Sequence, residues 1–280
     1  MSGPSSVWVF ARLELAESLR SKWAAFAATL YLGMVAAFVW LGLRESSMLG
    51  FTGLSRVLLN VANAVIVVFP LVVLVGTHSA IVRAKTSGFF ELMLTQPVRR
   101  TQWFWGLLLA RVAVLIGPLV GVMVGAALFS LLLEPEPGLA AVAARSLAIT
   151  VSLVFSFIGV GLWVSSRART LERAMVWALV AWVVTAALHD VLLIAVLLRT
   201  PLPPEVVFFV SALNPSEAAR VGILSSVDPE LSALGPVGFW LANSLGPTLA
   251  LVIAVGWPAL LGGLTTWSAA RNLERADLVG

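Results

Sequence analysis

The run "FWGLLLARVAVLIGPLVGVMVGAALFSLLL" (104–133) carries a single charged residue, Arg111. A spanning helix needs roughly 20 predominantly apolar residues. Lipid offers no partner to backbone N–H and C=O groups, so a segment of this kind is stable in a bilayer as a helix. Five further segments qualify, at about 23–43, 57–82, 146–166, 174–198 and 245–267. The chain is 60% apolar and 11% charged, where soluble domains carry about 25% charged residues. The fold class is therefore all-α integral membrane: six transmembrane helices in one domain over 1–280. The third span is overlong, and Pro118 is where it would tilt or break. Pro70 and Pro118 both fall mid-span, where neighbouring helices can satisfy the freed backbone groups.

Lysine and arginine set the orientation. One side holds Arg12, Arg20 and Lys22; Arg83, Lys85, Arg99 and Arg100; Arg167, Arg169 and Arg173; and Arg271 and Arg275, which is twelve. The other holds Arg44, Arg56, Arg145, Arg199 and Arg220, which is five. Both termini are expected in the cytoplasm. Trp23, Trp103, Trp105, Trp163, Trp177 and Trp267 then fall near the inner interface, and Trp40 and Trp240 near the outer one, as amphipathic rings do. The basic pI of about 10.6 is a topology signal and does not imply nucleic acid.

The N-terminal "MSGPSSVWVFARLELAESLRSK" lacks the pattern of a cleavable signal peptide and reads as an interfacial elbow helix. Trp8, Leu15, Leu19 and Trp23 share one face; Glu14, Glu17 and Ser21 share the opposite one. The segment is either a simple anchor or an elbow packed on a neighbouring subunit. Between spans five and six, the long outer connection 199–244 carries "PPEVVFFVSALNPSEAARVGILSSVD". Asn214 as N-cap, Pro215 at the first position and Glu217 at the third form a helix start. "VVFFV" is too apolar for a loop in water and is expected to dip into the outer leaflet or cover the bundle.

Catalytic chemistry has almost no residues to stand on. With no cysteine, disulfides, thiolate metal sites and iron–sulfur clusters are excluded. Neither lysine, Lys22 or Lys85, sits in a Walker A motif, and HExxH and GxSxG are absent. His78 and His189 lie in different spans at depths differing by roughly 15 Å at about 1.5 Å per residue, which does not suit one haem between them. No cofactor or metal is expected in the chain. Asp190 is the one acidic residue deep in a span, and burying it costs about 2.5–3.5 kcal/mol. It either lines a substrate or proton path or bonds Asn60, Asn63 or a hydroxyl. Arg111 can snorkel to the inner interface. Gly117, Gly121 and Gly125 make a small-residue face for close helix packing, within the chain or between copies. Arg167, Arg169 and Arg173 form a basic inner loop, serving topology or contacting a cytoplasmic partner.

The segment "AKTSGFFELMLTQPVRRTQWFW" (84–105) falls on the cytoplasmic side by the charge count. Phe89, Phe90, Leu92, Met93 and Leu94 are too apolar for a solvated linker. Either it is a surface helix joining two spans, or it is a lever docked in the groove of a cytoplasmic motor. Helix-in-groove contacts need apolar anchors at helical spacing, and Phe89, Leu92 and Met93 supply them.

"SGFFELMLTQPVRR" resembles the G-T-L-x-x-L-L-T-x-P-V-x-R element of ABC-2 transporter permeases, and among them the NosY-like permeases of the Nos system. "LHDVLL" (188–193), "LNPSEAAR" (213–220) and "RNLERADL" (271–278) agree in order and placement. The resemblance implies a permease subunit in the bacterial inner membrane, paired with a second copy as a homodimer. Its partners would be separate cytoplasmic ATPase subunits, which bind ATP and Mg, and a periplasmic accessory protein, with membrane lipid around it. In the Nos system such a complex supports maturation of the copper–sulfur centre of nitrous oxide reductase. Carried over residue by residue, Gly88, Phe89, Phe90, Leu92, Met93, Leu94, Pro97, Val98, Arg99 and Arg100 belong to the ATPase-coupling element. His189, Asp190 and Arg111 are the polar residues within spans. Asn214, Pro215, Glu217 and Arg220 belong to the outer gate loop. The chain departs from the family at Arg83 and Lys85, where acidic residues are usual, at Phe89 in the threonine position, and at Leu107 in place of a lysine. Two alternatives stand beside this one: an ABC-2 exporter of a lipid, glycan, peptide or drug, and a membrane anchor or electron-transfer subunit that transports nothing.

Overall fold

The computed structural model describes residues 4–46, 66–95, 98–133, 139–227 and 235–275, and these are helical with short turns. The order is α1 (Pro4–Arg20), α2 (Lys22–Ser46), α3 (66–77), α4 (Ala80–Thr86), α5 (Phe89–Leu94), α6 (Arg100–Leu133), α7 (Leu139–Arg167) and α8 (Leu171–Val183). A π turn (Val184–Leu188) then leads into α9 (His189–Leu197). The chain finishes with α10 (Pro204–Ala212), α11 (Pro215–Val227), α12 (Gly235–Ser244) and α13 (Gly246–Arg275).

Among the described residues, five segments are long and apolar enough to cross a membrane: Ile66–Thr86, Arg100–Leu128, Ala140–Arg167, Leu171–Leu197 and Gly246–Arg275. The first expected span coincides with α2, a helix of 25 residues. Helix α6 runs unbroken through Pro118, so the proline does not divide the third span.

The bundle is organised on α7, which α13 follows along its length. Glycine sets the spacing. A Cβ on Gly159 would lie 2.5 Å from the carbonyl oxygen of Gly262, and one on Gly262 would lie 2.7 Å from the Phe155 ring. Both distances are below any real contact, so only glycine admits this approach. Ser152 Oγ donates to the Val255 carbonyl at 2.5 Å across the same seam. Trp103, Phe104, Leu107, Tyr31, Phe69 and Phe157 fill the core beside it. By contrast, the most apolar window of Leu171–Leu197 has no buried residue, against 67% buried for Ala140–Arg167. The fifth span therefore lies at the edge of the bundle.

The elbow helix corrects one expectation. Helix α1 ends at Arg20 and α2 begins at Lys22, so Trp23 does not continue the α1 stripe. Trp8, Val9, Leu13 and Leu19 point outward and are exposed, while Ala11 and Ser18 are buried against the bundle. Glu14 and Ser18 thus turn toward the bundle while Glu17 stays exposed, and Trp8, Val9, Leu13 and Leu19 are left for lipid, as an interfacial helix requires. It packs on this chain's own α6, where a Cβ on Gly106 would come within 2.6 Å of Phe10 Cβ.

Candidate functional site

Two places bring the singled-out residues together, one at each end of the bundle. At the first, α3 stops at His78–Ser79 and the chain restarts as α4. A restarted helix leaves backbone donors without intrahelical partners. Ser165, near the end of α7, supplies the acceptor: its Oγ takes the N–H of Ile81 at 2.9 Å and of Val82 at 3.1 Å. Lys85 Nζ donates to the Ser166 carbonyl, and Asn272 of α13 donates to Ser166 Oγ at 3.2 Å. Helix α4 is thus tied to the end of α7, which Asn272 ties in turn to α13.

Gly88 then turns the chain at φ +73°, a left-handed conformation that costs glycine little and other residues more. The following α5 is held by its aromatic face. Phe90 stands edge-on to Trp103 at 5.0 Å, and Phe89 lies 5.6 Å from the same ring. Phe90 and Met93 are buried, whereas Leu92 is 71% exposed. Phe90 and Met93 therefore anchor the helix to its own bundle and are not offered to a partner. The outward face is Glu91, Leu92 and Thr95, continued by Arg83, Thr86 and Ser87. Leu94 closes α5. Pro97 lies outside the described residues. Val98 and Arg99 lead into α6, which Arg100 opens. The Arg99 N–H donates to Gln102 Oε1 at 3.1 Å, one half of a capping box.

Trp103 also joins this lever to the elbow, since its indole N–H donates to Glu14 at 3.0 Å. Arg111 does not simply snorkel to water: its Nη1 donates to Ser18 of α1 at 3.2 Å. Burial raises the Glu14 carboxyl above its ordinary range, with Arg111 and the Trp103 bond pulling the other way. In the turn between α7 and α8, Arg167 lies over the Trp163 ring at 4.4 Å. Arg169 and Arg173 are exposed, and Thr170 caps α8 by accepting the Arg173 N–H at 3.3 Å.

The opposite end is built on α11. Asn214 Oδ1 accepts the Ser216 N–H at 3.0 Å with Pro215 as first helical residue, the start expected from sequence. Asn214 Nδ2 reaches instead to the Thr185 carbonyl at 2.7 Å, inside the π turn of the fifth span. Arg220 pairs with Glu217 at 2.8 Å and with Asp190 at 3.6 Å. Asp190 is thus paired across elements with Arg220; Asn60 and Asn63 lie outside the described residues. Burial lifts the Glu217 carboxyl to about 7, opposed by Arg220 and reinforced by Asp190. His189 Nε2, Ser216 Oγ and Arg220 Nε are buried here without a partner among the described residues. Helix α11 is wedged between α7 and α13, where a Cβ on Gly222 would collide with Ala254 Cβ. Phe208, Leu224, Leu241 and Ala250 close over it as a separate apolar cluster, so "VVFFV" turns Val207 and Phe208 onto the bundle and leaves Val206, Phe209 and Val210 exposed. Among the described residues no group of three His, Asp or Glu could hold a metal.

Sequence reasoning misses Ser165, Glu14 and Ser18. A serine near a helix end is too common to signal a cap on another helix. The polar face of α1 is visible in the sequence, but not that it turns inward. The π turn leaves no mark beyond Thr185.

This is the architecture of a polytopic membrane protein: a helical bundle with a pinned helix pair at one end and a charge-paired wedge at the other. The chain belongs to the ABC-2 family of transporter proteins, whose family model matches residues 8–278. It is similar to the probable ABC transporter permease protein NosY of Stutzerimonas stutzeri, 29% identical over 262 residues, covering 92% of this chain and 93% of that one. It is also similar to the protein of the same name from Pseudomonas aeruginosa, 30% identical over 267 residues, covering 89% of this chain and 96% of that one.

Proposed function

We propose that this chain is the permease subunit of an ATP-driven transporter, a single domain of six spans with both termini in the cytoplasm. The observation that carries the reading is the α4–α5 lever. It is tied to α6 through Trp103 and to α7 through Ser165 and Ser166, yet presents Glu91 and Leu92 outward. A separate ATPase subunit pushing on that face would move those two spans together. ATP and Mg bind in that partner, and this chain hydrolyses nothing itself.

Two copies pair, and the bare outer side of the fifth span favours that edge as the seam. The similarity to NosY proteins supports a role in maturing the copper–sulfur centre of nitrous oxide reductase, with a periplasmic accessory protein receiving the far end. The chain then works as machinery and does not itself hold copper tightly.

Affinity purification from native membranes tests this reading. An ATPase subunit with Walker motifs, together with a periplasmic partner, is the expected yield. Recovery of haem or of electron carriers with no ATPase would overturn it.

A further inference from the structure

The fifth span is built in two halves that are held differently. Its inner half, α8, buries Ala174 and Ala178. It is also tied to α3, where the Trp182 indole N–H donates to the Val67 carbonyl at 2.9 Å. The π turn and the outer half, α9, bury no residue. In the π turn the His189 N–H reaches back to the Val184 carbonyl, and such a turn is a common place for a helix to bend. The Thr185 hydroxyl donates to the Ala181 carbonyl at 2.9 Å, a back-bond that also bends helices.

Helix α11 clasps the outer half at two points. Asn214 Nδ2 donates to the Thr185 carbonyl at 2.7 Å, and Arg220 faces Asp190 at 3.6 Å. The second contact is too long for a hydrogen bond, while the same Nη1 donates to Glu217 at 2.8 Å. Two carboxylates therefore compete for one guanidinium. An ionised Glu217 holds it; a protonated one has lost its charge and leaves Asp190 as the stronger acceptor. Burial lifts Glu217 to about 7, which puts that exchange near neutral pH. Among the described residues the elements packed on α11 add Arg145 of α7 and Glu205 of α10, both exposed, and no charge from the π turn or the first turns of α13. His189 precedes Asp190, its Nε2 buried.

We propose that Glu217 is a proton-binding site that sets this clasp: protonated, it lets Arg220 close on Asp190 and fix the outer half of the fifth span to α11; ionised, it draws Arg220 away and the outer half swings at the π turn. The closed form binds the proton more tightly, so it prevails at low pH and is lost as pH rises through about 7. This goes beyond the permease reading and rests on neither the ATPase nor the transported substrate.

The test is double electron–electron resonance on the purified full-length chain in nanodiscs. Leu198→Cys at the end of α9 and Leu249→Cys in the first turn of α13 are both exposed positions, and the chain has no other cysteine. Diluting the spin-labelled chain with unlabelled chain restricts the signal to pairs within one protomer. The ratio of open to closed distances should rise about tenfold between pH 5.5 and pH 8.5, the weight of one hydrogen bond to a charged group. Glu217→Gln, a permanently neutral isostere, should stay closed at both pH values, and Asp190→Asn should be open at both. An unchanged ratio in the parent would overturn the proposal. So would a pH response that survives in Glu217→Gln, which would assign the proton to His189, or one that survives in Asp190→Asn.

Discussion

Arg220 on the wedge helix α11 reaches the carboxylate of Asp190 on the fifth span at 3.6 Å while holding Glu217, one turn back on its own helix, at 2.8 Å. One cation therefore serves two carboxylates. Removing the cation leaves two partly buried acids side by side, whereas removing Asp190 leaves Arg220 still paired. Arg220→Met should cost about 2–3 kcal/mol and Asp190→Asn about 1 kcal/mol. Thermal unfolding in detergent should rank the variants in that order, and equal losses would mean that Arg220 does not join the two helices.

The same group makes a pH prediction. Burial raises Glu217 from 4.5 to about 7. Between those values the folded protein holds a proton that the unfolded chain has lost, so stability falls as pH rises from about 4.5 to about 7. The contribution is fully present below 4.5. Glu217→Gln should flatten the slope of Tm against pH across that window. An unchanged slope would show that the carboxyl is not protonated in the fold.

Ser165 accepts two backbone donors at the start of α4. Ser165→Ala leaves both without it and should cost about 1–3 kcal/mol, with protection of the α4 amides lost first in hydrogen exchange. The bundle core should keep its protection. Uniform loss across all helices would deny the serine its local role.

The glycines sort into two kinds. Gly159→Ala and Gly262→Ala press a Cβ into the α7–α13 seam and should lower the yield of folded protein. Among the described residues, nothing lies within 4 Å of a Cβ placed on Gly117, Gly121 or Gly125, so Gly121→Ala should leave the protomer's stability within about 0.5 kcal/mol of the parent. If that stripe met another helix of the same chain, Gly121→Ala would destabilise it as Gly159→Ala does.

Much of the fold is legible in the amino-acid sequence. Apolar runs mark spans because lipid enforces helices, and Asn214, Pro215 and Glu217 announce α11 because a helix start is local chemistry. Which face of a helix turns inward is not local. Periodicity places Trp8 and Leu19 on one side of α1, and Glu14 on the other, but cannot say that lipid takes the first and Trp103 the second. Leu92 and Met93 look alike as anchors in sequence; the fold buries Met93 in the core and leaves Leu92 on the surface. The Asp190–Arg220 pair spans two elements, and no spacing rule connects them.

The most direct test of the lever uses the absence of cysteine in the chain, which makes single-cysteine variants free of background. Leu92→Cys, carrying a photo-crosslinker and expressed with the complete transporter, should be labelled from the cytoplasmic side and should crosslink to the ATPase subunit. Labelling only from the opposite side, or a crosslink to lipid alone with the ATPase present, would contradict the account.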